Sequence, residues 1–148
     1  MKTTVSRDIP LAEITLRKYE KPTDLDQREL VKKLCLSIGL LQPGDSRDVI
    51  VDVLTIFFSK SNLTSEQVRE LVIAQRKEKN LPLRGIASSN IRRQLKRLKD
   101  LFLIENVNNL YRMNENETLP NIFEQKIENF YIKGIMDRVR EYFNAIKK

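Results

Sequence analysis

The 148-residue chain carries 27 basic and 20 acidic side chains, a formal net charge of +7, with 41% hydrophobic and 32% charged residues. That size leaves room for one hydrophobic core and an extra oligomerisation element, which argues against a multidomain enzyme. Histidine is absent and Cys35 is the single cysteine, so the commonest general base and metal ligand is missing and no intrachain disulfide forms.

The expected cofactor is therefore none, and the expected compartment a reducing cytoplasm. Cys35 lies between Leu34 and Leu36 and reads as a core thiol, since nothing in the sequence would activate it as a nucleophile. The N-terminal MKTTVSRDIP has no apolar leader region, and no run approaches the roughly 18 apolar residues of a membrane span, so no membrane partner is expected. Four glycines and five prolines are few for a chain built on tight turns, and this favours a mainly α fold.

Residues 1–23 read as an extended arm, with Ile14 and Leu16 alternating with Thr15 and Arg17 between Pro10 and Pro22. A helix is expected from about Asp24 to Ile38, with Leu30, Val31, Leu34, Cys35 and Ile38 at helical spacing and Gly39 as its stop. Asp45 or Ser46 then caps a second helix through VIVDVLTIFF, whose broad apolar face makes it the most buried. Within and before it, Asp48 and Asp52 read as helix-start and solvated-face residues, as Asp24 and Asp26 do for the first helix. Thr64 and Gln67 have capping-box spacing and open a third helix carrying Val68, Leu71 and Val72, which ends near Asn80 and Pro82.

Ser88 or Ser89 is the expected cap of a fourth helix to about Asp100, with Ile91, Leu95, Leu98 and Phe102 as its apolar stripe. Two short apolar runs, LIENV and LYRM, flank Asn108 and Asn109, a pair suited to a two-residue hairpin turn. After NENE at 114–117 a last helix is expected from about Pro120 to Ile146. Its residues Ile132, Ile135, Val139, Tyr142 and Ile146 follow the three-four spacing of a coiled-coil seam. Phe123, Ile127 and Phe130 form a stripe out of phase with that seam, the break falling near Gly134.

The charge is concentrated. Residues 76–99 hold nine basic side chains (Arg76, Lys77, Lys79, Arg84, Arg92, Arg93, Lys96, Arg97 and Lys99) against Glu78 alone, a net +8; with +7 in total, the other 124 residues carry −1. Such a focus on a neutral body is the electrostatic footprint of a polyanion partner.

The order helix, helix, basic helix, hairpin, and specifically NLTSEQVRELV followed by GIASSNIRRQLKRLKDLFLIENVNNLYRM, resembles the winged helix-turn-helix transcription regulators over about residues 46–114. The resemblance implies an archaeal or bacterial regulator of duplex DNA, with the third motif helix in the major groove and the hairpin wing on the backbone or minor groove. The loop from Asn80 to Ala87 is longer than the usual turn between the two motif helices. In domain terms the chain divides into the arm (1–23), a winged-helix domain with a preceding helix (24–114) and a C-terminal dimerisation helix (118–148), so the expected assembly is a homodimer.

With the stripe turned to the core, 100° per residue puts Ser89, Arg93, Lys96 and Asp100 outward, flanked by Asn90 and Arg97 on one side and Arg92 on the other. Arg93 and Arg92 are candidates for guanine edges and Asn90 for adenine, with Ser88 and Ser89 at the base-facing end. Lys96, Arg97 and Arg84 are candidates for phosphates. Arg112 on the second strand either touches DNA or pairs with Glu105 across the hairpin. The dimer contact is assigned to Ile132, Ile135, Val139, Tyr142 and Ile146, against the alternative that they pack on Leu30, Leu34 and Ile38 of the same chain. A rival function for the same fold is a protein-binding module of a transcription, replication or chromosome-segregation assembly.

Overall fold

A computed structural model describes residues 13–15, 21–42, 44–45 and 47–147. Most of the expected arm, including Leu16 and Arg17 of its alternation, and the candidate cap Ser46 lie outside the described residues. The fold is mainly helical, with one small antiparallel hairpin and a long C-terminal helix.

Helix α1, Gln27–Ser37, starts later than the sequence pattern suggests, because Asp26 is its N-cap and accepts from the Glu29 amide at 2.8 Å. It stops where Gly39 takes φ +79° and the Leu40 amide reaches back to the Cys35 carbonyl at 2.9 Å. Helix α2, Val49–Ile56, buries every residue except the half-buried Thr55. It starts after Asp48; Asp45 instead accepts from the Gln42 amide in the preceding turn. Helix α3, Ser65–Glu78, begins with the expected reciprocal capping box between Thr64 and Gln67. Helix α4, Ser88–Asp100, turns Ile91, Leu95 and Leu98 fully inward. Helix α2 contacts α1, α3 and α4, so the core forms around it.

One buried charge cluster ties three of these helices. Asp52, fully buried on α2, accepts from Arg28 of α1, from Arg76 of α3 at 2.6 Å and from Gln75 at 2.8 Å. Asp48 completes it, 2.9 Å from Arg28 and 3.1 Å from Arg76. This corrects the sequence reading of both aspartates as helix-start and solvated-face residues. An aspartate inside VIVDVLTI has no solvated face to occupy, so it is buried with its countercharges. Burial opposes ionisation of Asp48, yet the hydrogen bonds and charges of Arg28 and Arg76 hold its carboxyl below the ordinary value. Burial likewise opposes the Arg28 charge, and Asp52 and Asp48 outweigh it and raise its pKa. Cys35 is fully buried, as expected, and burial pushes its thiol up to about 12.

Strands β1 (Ile104–Val107) and β2 (Leu110–Met113) pair antiparallel, with Glu105 opposite Arg112. Asn108 and Asn109 both have positive φ, +54° and +65°, which is the backbone a two-residue hairpin needs. Leu63, just before α3, exchanges two backbone hydrogen bonds with Tyr111 at 3.0 and 2.7 Å and fastens the hairpin to the helices. Phe102 is not part of the α4 stripe. It follows the helix at φ +65°, and its ring meets Phe130 edge-on at 5.6 Å.

The C-terminal helical run starts at α5, Leu119–Ile122, capped by Thr118, and ends with α6, Lys133–Ala145. Between them Phe123–Ile132 is wound as a π-helix, which turns less per residue than an α-helix. That winding accounts for the phase break between the Phe123 stripe and the Ile132 seam. Gly134 lies just beyond it, with open space where a Cβ would sit and no positive φ, so the break does not require a glycine. Ile122 and Ile127 are buried, while the end of α6 projects into solvent. No helix among the described residues is long and apolar enough to cross a membrane.

Candidate nucleic-acid interface

Along α4 Ser89, Arg92, Arg93, Lys96 and Asp100, placed outward or flanking by the periodicity, are exposed, and so is Lys99. Arg84, in the loop before the helix, is exposed too. The N-terminal end differs from expectation, because neither serine is the cap. Ala87 occupies that position, no side chain caps the helix, and its first turn holds no acidic residue. Among the described residues the first-turn amides, at the positive end of the helix dipole, thus have no side-chain acceptor capping them. Ser88 is half-buried.

Beside this end lies a concavity of about 530 Å³ lined by Arg47, Leu83, Gly85, Ile86, Ala87, Ser89, Asn90 and Arg93. Arg47 was missed by the sequence reasoning. It lies far from the basic run, in the segment leading into α2, and only the packing of α2 beneath the 80–87 loop brings it beside Arg93.

The long loop is held by side chains at three of its carbonyls. Arg76 Nε donates to Pro82 O at 2.8 Å, Arg69 Nε to Ile86 O at 2.7 Å, and Asn90 Nδ2 to Gly85 O at 2.7 Å. Gly85 is required here, since its φ is +73° and a Cβ would come within 3.0 Å of Asn90 Nδ2. The extra loop length therefore forms a fixed ledge that carries Leu83 and Arg84 next to α4.

These contacts alter the sequence assignments. Asn90 gives its amide to Gly85 and accepts from Gln94 at 3.1 Å, so both ends of its side chain are engaged within the fold. Arg97 donates to Leu40 O at 2.8 Å and to Gln94 Oε1 at 2.9 Å, tying α4 to the segment after α1. Arg76 is buried, so the basic count over 76–99 overstates the surface charge. Lys96 pairs with Asp100 at 2.7 Å, but both are exposed, and such a pair opens readily. Arg112 pairs with Glu105 at 2.6 Å across the hairpin, the alternative the register allows.

In the C-terminal helix, Ile132 and Ile135 are half-buried, whereas Val139, Tyr142 and Ile146 are exposed. The last three therefore do not pack on α1 of the same chain. Among the described residues no group of histidine, cysteine and carboxylate side chains is arranged to hold a metal ion. A second cleft of about 560 Å³ lies between the Phe57–Ser61 turn and residues 113–119 and includes no residue of α4.

No family model, curated protein or solved structure matches this chain.

Proposed function

We propose that this chain is a winged-helix regulator of transcription that binds duplex DNA as a homodimer and is not an enzyme. The observation that carries the reading is the concentration of free cations at one end of α4: Arg92 and Arg93 exposed beside an uncapped helix N-terminus, with Arg47 across the concavity and Arg84 on the ledge. Helix N-termini and arginine forks both suit phosphate and base edges.

In this reading α4 lies in the major groove. Arg93, with Arg92 and Ser89, meets bases; Arg84, Arg47 and Lys96 meet phosphates, Lys96 leaving Asp100 to do so. Asn90 and Arg97 act from behind, holding the loop and the helix in position. The β1–β2 hairpin is the wing, and Arg112 reaches DNA only by leaving Glu105. The exposed seam of α6 joins two copies, which places two recognition helices on one duplex.

The test is a salt titration of duplex binding by fluorescence anisotropy, with a site recovered from genomic DNA. Affinity should fall steeply with salt, and losing Arg84 should reduce the log–log slope by about one. Arg93→Ala should cost on the order of 1 to 3 kcal/mol on the recovered site and little on random DNA, whereas Lys96→Ala should weaken both alike. Weak binding that ignores salt would discard the DNA reading in favour of a protein-binding winged helix.

A further inference from the structure

Within the basic stretch 76–99, Leu83 is the one large hydrophobic side chain left exposed, at 42%. Its apolar neighbours in the loop go inward: Leu81 is half-buried and Ile86 packs against the core. A lone surface leucine is ordinary; the anchorage and setting of this one are not. The backbone is held on both sides of it, by Arg76 at the Pro82 carbonyl (2.8 Å) and by Asn90 at the Gly85 carbonyl (2.7 Å). From that fixed ledge Leu83 lines the concavity at the start of α4 together with Arg47, Ala87, Ser89 and Arg93, and among the described residues no carboxylate lines it.

The arginines draw a polyanion to this surface, and a leucine set among them needs an apolar group on that polyanion. In the major groove the edges of guanine, cytosine and adenine offer only donors and acceptors, and the one apolar group displayed is the C5 methyl of thymine. A concavity of about 530 Å³ is on the order of 10 Å across, about three base steps. Leu83 and the Arg93 fork are therefore spaced to meet bases of one short tract.

We propose that Leu83 is a specificity-determining residue that packs on the C5 methyl of a thymine within about three base pairs of the base met by Arg93. This rests on the DNA-binding reading above and gives it a base preference that no hydrogen-bonding side chain of α4 supplies.

Fluorescence anisotropy of the full chain, on the site recovered from genomic DNA, tests this. Each thymine of a half-site is replaced in turn by deoxyuridine, which removes the methyl and keeps the base pair. At one position the affinity should fall about fourfold, the factor that burying one methyl group is worth. In Leu83→Ala the same replacement should leave affinity unchanged, while the dependence on salt persists. Each protein is compared with itself on two duplexes, so a partly unfolded variant lowers both affinities and leaves their ratio intact. Salt-dependent binding that is indifferent to every deoxyuridine would overturn the role of Leu83 and leave the DNA reading standing. A methyl effect that persists in Leu83→Ala would give the contact to another side chain and overturn that role as well. Weak binding to every duplex, indifferent to salt, would remove both readings.

Discussion

Asp52→Ala should be among the most destabilising single changes in the chain. The carboxylate is fully buried and accepts from Arg28, Arg76 and Gln75. Without it, Arg76, itself only 3% exposed, keeps Asp48 at 3.1 Å and the Pro82 carbonyl at 2.8 Å, one carboxylate where two had faced it. Removing one partner of a buried pair costs about 3 to 5 kcal/mol, because the other charge stays in a medium that cannot solvate it. With a urea dependence of about 2 kcal/mol per molar, the midpoint should fall by about 2 M. Circular dichroism at the helical band in a urea series reads this directly. Asp52→Leu combined with Arg76→Met should recover most of the loss, because both buried charges then leave together and Arg28 retains Asp48 at 2.9 Å. A midpoint shift below about 0.5 M for Asp52→Ala, or a double variant less stable than both single ones, would refute the account of the cluster as one buried electrostatic unit.

Acid stability should track Asp48: its folded pKa lies below the ordinary 3.8, so its contribution is complete above that value and is lost as pH falls through the lower folded one. Asp48→Asn should flatten the acid limb of a stability-against-pH curve. Cys35 acts at the other end, since a thiol raised from 9.0 to about 12 favours the fold fully below pH 9 and loses that contribution as pH rises towards 12. At pH 8 the native thiol should resist an aromatic disulfide reagent and react only at the unfolding rate. Phe102 sits at φ +65°, so Phe102→Gly relieves the backbone while Phe102→Ala loses the same ring contact without relief. The alanine variant should therefore be less stable by about 1 kcal/mol, measured by thermal melts.

What the sequence made legible follows from the range of the interaction involved. The Thr64–Gln67 capping box, the Asn108–Asn109 turn and the inward stripe of Ile91, Leu95 and Leu98 depend on residues within one or two turns of one another, and all were readable in the sequence, except that Phe102, read as the end of the stripe, lies past the helix at positive φ. Asn90 and Arg97 stood on the correct flank of α4 by periodicity, yet the acceptors that engage them, Gly85 O and Leu40 O, belong to separate loops. Periodicity gives the direction of a side chain and not what it meets. The same limit explains Arg76, counted with the surface charge, and Arg47, left out of it: one is drawn inward by Asp48 and Asp52 of α2, and the other is brought by the start of that helix to the concavity beside Arg93. A basic run in sequence therefore has to be divided before it is read as an electrostatic footprint. Here the division removes Arg76 and Arg97 from the candidate DNA surface, adds Arg47, and shifts its weight towards the N-terminal end of α4, the end at which a recognition helix meets bases.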